Sequence, residues 1–123
     1  MISAKYDFEI EQGTDVSVPL ILKDKDGGVI DLTGYKARMQ MRQQIASPEA
    51  VDTLTTENDR IEIDGTNGKI TLHFTHEVTE TYPAASLVYD VEIVSPGKLV
   101  TRILKGKVKI LGEVTRVGSN ESM

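Results

Sequence analysis

The chain of 123 residues contains no cysteine and no tryptophan, and its aromatics amount to four tyrosines and two phenylalanines. The missing cysteine excludes a disulfide framework, a thiolate metal site and a cysteine nucleophile. With tryptophan also missing, the Cys/Trp/Cys core of antibody domains is excluded, and a folded core must be built from aliphatic side chains. No run of about 18 apolar residues occurs, and the opening Met1 to Ile10 holds no apolar segment of signal-peptide length. The expectation is a chain with neither membrane span nor signal peptide, made in the cytoplasm. Basic charge is short too: the formal net charge is -5, which argues against nucleic acid as the main partner, because phosphate binding needs a concentrated basic surface.

What is present is alternation. From Tyr35 to Arg42, Tyr35, Ala37, Met39 and Met41 point one way, while Lys36, Arg38, Gln40 and Arg42 point the other. That period of two predicts a half-buried antiparallel strand with a basic outer face. The same pattern recurs at Tyr6, Phe8 and Ile10, and at Val16, Val18, Leu20 and Leu22. Pro19 falls on the other face of that second run; having no N–H for a ladder, it predicts an edge strand or a bulge. Val51 to Thr56 is a weaker strand. Ile61 and Ile63 face Ile70, Leu72 and Phe74 across the turn from Asp64 to Gly68, which predicts a hairpin. Between Thr75 and Tyr82 one helical turn fits, capped by Thr75 and stopped by Pro83. Leu87, Tyr89, Val91 and Ile93 predict a strand, and a last strand runs from about Leu99 to Leu111, with a bend or bulge easiest at Gly106.

Seven or eight short strands separated by Gly, Pro, Asn and Asp turns predict an all-β, immunoglobulin-like antiparallel sandwich over residues 1–115, followed by a polar tail over 116–123.

Chemistry-bearing patterns are weak. His73 and His76 lie three apart, but His73 sits inside a strand and His76 beyond its end, so a solvated pair is expected rather than a metal site. Asp24, Asp26, Gly28 and Asp31 resemble a calcium loop only in outline: Val29 stands where the loop glycine belongs and Tyr35 where the bidentate glutamate belongs, leaving a simple turn. No serine lies in a G-x-S-x-G elbow, and the glycine pairs precede strands, whereas a phosphate cradle opens a helix. The expectation is a non-enzymatic protein without cofactor or metal.

A family resemblance adds the rest. Gln12-Gly13-Thr14-Asp15, then Val18-Pro19-Leu20, Asp26-Gly27-Gly28, Ile30 to Tyr35 and the basic strand follow in an order that resembles a tailed-bacteriophage virion module. The chain is similar to the immunoglobulin-like N-terminal domain of phage baseplate upper proteins and to small stand-alone phage structural proteins of that type. The likeness continues through Leu54 to Asn58, Gly68 to Leu72, Tyr82 to Ser86, Tyr89 to Ile93 and Val100 to Gly106. It implies a structural virion protein of the baseplate, tail-fibre attachment or neck region, whose partners are other virion proteins in a symmetric or homo-oligomeric assembly. A capsid decoration or collar protein is the alternative. From a different class stands a free host-modulating or carbohydrate-binding module, which would need exposed aromatic platforms. Sandwich edges invite strand addition, so the expected interface residues are Tyr6 and Phe8 on the N-terminal strand, Pro19 on the second, and the basic side chains Lys36, Arg38 and Arg42.

Overall fold

A computed structural model describes residues 4–115; the expected tail over 116–123 lies outside them. Nine strands and one short helix form in the order β1 Ala4–Lys5, β2 Phe8–Glu11, β3 Val16–Ile21, β4 Lys36–Arg42, β5 Asp52–Thr55, β6 Ile61–Asp64, β7 Lys69–Phe74, α1 His76–Thr79, β8 Ser86–Val94 and β9 Val100–Leu111. They make an all-β sandwich. One sheet runs β1-β9-β8-β4-β5, with β2 also on β9, and the other runs β3-β7-β6. Set against an immunoglobulin-type sandwich, β3, β7 and β6 take the places of B, E and D, and β9, β8, β4 and β5 those of G, F, C and C′.

Alternation positions the core. Ala37, Met39 and Met41 are buried and Lys36, Arg38 and Gln40 exposed, so β4 follows its sequence pattern residue by residue. Leu54 of β5, Ile70 and Leu72 of β7, Leu87 and Val91 of β8, and Val108 of β9 are fully buried against it. Each such side chain contributes about 1.5–3 kcal/mol relative to exposure. The core is not wholly aliphatic. Phe8 packs edge-on against Tyr89 at 5.2 Å and tilted against Phe74 at 6.3 Å, and Phe74 meets Tyr82 at 6.5 Å. With Tyr6 stacked on Phe8, every aromatic but Tyr35 joins one seam where the N-terminal strand closes the sandwich.

Three details differ from the sequence expectation. First, the N-terminal strand lies parallel to β9, with Ala4 opposite Leu104 and Ile10 opposite Ile110. It divides in two at Tyr6 and Asp7 without losing register. Second, the bulge in β9 falls not at Gly106 but at Ile103, the extra residue between Leu104 opposite Val91 and Arg102 opposite Glu92. Gly106 serves a close approach instead: a Cβ there would lie 2.0 Å from the Tyr6 carbonyl oxygen. That bulge turns both Ile103 and Leu104 inward and leaves Val100 exposed. Third, Thr75 does not cap α1 with its side chain; Asp15 Oδ1 reaches over from the turn before β3 and accepts the His76 N–H at 2.6 Å. Between β3 and β4, Val29 makes a bridge to Lys23.

Other expectations hold. Pro19 sits on edge strand β3, exposed and opposite Thr71 of β7. The β6–β7 hairpin pairs Ile61 with Leu72 and Ile63 with Ile70.

Candidate functional site

The six expected interface residues fall in three places. Tyr6 is 43% exposed at the break between β1 and β2, and its carbonyl accepts the Tyr89 hydroxyl at 2.5 Å. Burial pushes the Tyr89 phenol up, with Tyr6 and Asp7 adding to it, so this hydroxyl stays a donor. Phe8 is half-buried and packed on the core. Pro19 lies on the edge of the other sheet, so it shares no surface with β4. Lys36, Arg38 and Arg42 share the outer face of the larger sheet, as their alternation requires.

Much of the basic character of β4 is cancelled there by neighbours that sequence alone does not reveal. Arg38 is opposite Glu92 of β8, and its Nε lies 2.8 Å from Glu92 Oε1. Arg102 of β9 approaches Glu92 Oε2 at 3.3 Å and Asp90 Oδ2 at 3.1 Å. The result is a ladder of alternating sign across three strands, the arrangement that opposite charges favour on a sheet face. Arg42 donates to the Ser47 carbonyl at 2.9 Å and to Gln40 Oε1 at 2.7 Å. This fixes the loop after β4.

Beyond that ladder the face changes. Lys105, Lys107 and Lys109 alternate along β9, all exposed, and Lys5 of β1 lies directly opposite Lys105. Among the described residues the ion pairs use arginine and histidine as cations, and none uses a lysine. A groove of about 500 Å³ runs here, with Val88 and Gly106 among its lining and Ile45 at its side. The lysine run was visible in the sequence as Lys105-Gly-Lys-Val-Lys109. Its signal is the same alternation that marks β4; what was hidden is that the N-terminal strand brings Lys5 beside it.

The tightest titratable cluster lies elsewhere and is structural in its chemistry. Asp52 of β5 accepts from Arg60 Nη2 at 2.8 Å and from the Tyr82 hydroxyl. Arg60 Nε donates to the His73 carbonyl at 3.1 Å, and its guanidinium sits 5.9 Å from the Phe74 ring centre. Burial pushes the Tyr82 phenol up, with the Asp52 carboxylate next in effect. Burial works against the Arg60 charge, but Asp52 outweighs it and the net shift is upward. A phenol held protonated and a guanidinium held charged do not exchange protons near neutral pH. The cluster ties the edge of the larger sheet to the start of β6 and to the corner before β8.

The histidines are each engaged singly. His73 lies 3.0 Å from Glu62 and 3.2 Å from Ser17, and His76 3.0 Å from Asp15. Among the described residues no group of three metal-ligating side chains converges. In the turn before Val29, Asp24 Oδ1 accepts the N–H groups of Asp26 and Gly28 at 2.9 Å each. Its carboxylate thus closes the loop on itself. Comparison of the sequence with protein-family models gives no match, and no curated protein matches it.

Proposed function

We propose that this chain is a non-enzymatic structural component of a tailed-phage virion, a docking and spacer module of the baseplate, tail-fibre attachment or neck region. The observation that carries this reading is an open sheet edge on a firmly closed sandwich. Among the described residues β1 and β2 pair with β9 on one side only, and the other side of the strand offers backbone groups to a neighbour. The N–H of Tyr6 goes to Lys105 and that of Gln12 to Leu111. By the period of two, Glu9 aims its own N–H and carbonyl outward. Support also comes from the ordered run of turn and strand motifs that resembles phage virion modules, and from a cluster of buried titratable groups occupied in joining the sheets.

The test is localisation of the protein on purified virions by antibody labelling. Label at the tail tip, tail or neck is expected. Label over the head lattice would move the chain to a capsid decoration or collar role, and virions free of the protein would overturn the structural reading in favour of a free host-modulating or carbohydrate-binding module. A second test uses the edge. Glu9→Pro removes an outward N–H, keeps the ladder to β9, and is expected to leave the monomer folded while blocking incorporation.

A further inference from the structure

More than half of the chain's 14 lysines and arginines stand on one face of a protein whose net charge is -5. Arg38 of β4 and Arg102 at the start of β9 are matched by Glu92 and Asp90. Among the described residues no carboxylate closes on Lys5 of β1 or on Lys105 and Lys107 farther along β9. Lys5 and Lys105 are direct neighbours on adjacent strands, a like-charge pairing that works against the fold. Asp90 is opposite Lys105, yet its carboxylate is turned to Arg102 at 3.1 Å. Lys5 and Lys105 therefore keep their repulsion while Asp90 serves another cation, and the acid of β2, Glu9, lies farther along the strand opposite Lys109.

A bound carboxylate would relieve it. The groove gives such a ligand a place: Lys5, Lys105 and Lys107 on one rim, Arg42 on the other, Val88 as apolar surface between them, and Ile45 at the side. Ile45 is 88% exposed, the kind of side chain whose burial a partner can use.

We propose that this groove docks an acidic segment of a partner protein, with carboxylates on the lysine rim and an apolar side chain against Val88 and Ile45. Charge complementarity selects the occupant. Nucleic acid fits less well, because the one aromatic in the groove lining, Tyr89, is buried, leaving no aromatic platform for bases there. The inference rests on the docking role proposed above but not on the open edge, and it needs no particular place in the particle.

The experiment titrates the isotope-labelled chain with a short synthetic peptide of glutamate and leucine, followed by NMR. Shifts are expected over β8, β9, β1 and the loop around Ile45, weakening as salt rises. Combined Lys5→Gln, Lys105→Gln and Lys107→Gln is expected to weaken binding roughly tenfold. A control with the same charge change, Lys23→Gln, Lys25→Gln and Lys98→Gln, is expected to leave binding within about twofold. Equal losses in both variants, no binding at all, or a single-stranded oligonucleotide bound as tightly through the same lysines would each overturn the proposal. Neutral substitutions at exposed sites leave the fold intact, and the amide spectrum of each variant checks it. Should the protein label virions while the peptide fails to bind, the groove proposal falls alone. Binding of the peptide by a chain absent from virions would keep the groove and sink the virion role.

Discussion

On the β4 side of the larger sheet's outer face, each arginine has an answer: Arg38 on Glu92, Arg102 between Glu92 and Asp90, Arg42 on Ser47 and Gln40. On the β9 side, Lys5 faces Lys105, and among the described residues no acid closes on either. Both sides come from the same alternating pattern, so the pattern distinguishes strand from loop but not a satisfied face from an unsatisfied one. That distinction depends on which strand lies beside which. The satisfied side holds the fold together, and the unsatisfied side is the one left with something to gain from a partner.

The largest expected effect lies off this face, at the ion pair on the inner side of the sheet that joins β5 to the start of β6. Asp52→Ala leaves Arg60 and the Tyr82 hydroxyl without their shared acceptor; the side chains of Asp52 and Arg60 are only 17% and 20% exposed. A loss of about 2–4 kcal/mol in chemical denaturation is expected. Next comes Gly106→Ala, which sets a Cβ against the Tyr6 carbonyl and must lift the edge that carries Lys5. About 1–3 kcal/mol is expected, with hydrogen-exchange protection lost first in β1 and β2. A smaller contrast separates the two sides directly. Arg38→Ala, at a half-exposed pair, is expected to cost about 0.2–1 kcal/mol, whereas Lys105→Ser, which removes a repulsion, is expected to leave thermal stability unchanged or slightly raised. A cost at Lys105 equal to that at Arg38 would erase the comparison.

The smallest effect concerns the exposed pair at α1. The hydrogen bond that the His76 ring donates to the Asp15 carboxylate raises the His76 value, so its contribution is complete below the ordinary histidine pKa of about 6.5 and disappears as pH rises through the raised one. Asp15 is lowered, chiefly by the His76 N–H, so its contribution is complete above the ordinary aspartate value and disappears as pH falls through the lowered one. Stability from this pair is thus confined between the two shifted values. An NMR titration of the imidazole checks it: Asp15→Ala is expected to bring the His76 midpoint down toward the ordinary value, and an unmoved midpoint would show the contact to be absent in solution.

Much of the fold was legible because burial writes itself at a period of two. Ala37, Met39 and Met41 predicted β4 within a residue, Pro19 predicted an edge, and Ile61, Ile63, Ile70 and Leu72 predicted their hairpin register. What the sequence hid were contacts between distant segments. Nothing local to Tyr6 says that its carbonyl will meet the Tyr89 hydroxyl, which is why Gly106 read as a bend and proved to be a close approach. Thr75 has the right chemistry for a cap, but Asp15, 61 residues from His76, supplies it. The basic strip at Lys36, Arg38 and Arg42 was visible as charge, while the pairing of Arg38 with Glu92 and the β9 lysines, unpaired among the described residues, required knowing the strand order.

The central claim is that the β9 side, not the β4 side, meets a partner. Incorporation into virions of two charge-matched variants tests it most directly. One carries Lys5→Gln and Lys105→Gln; the other carries Lys36→Gln and Arg38→Gln. Quantified in particles grown with each variant as the sole source, the first is expected to be depleted and the second retained. Equal incorporation of both, or depletion of the second alone, would contradict the account.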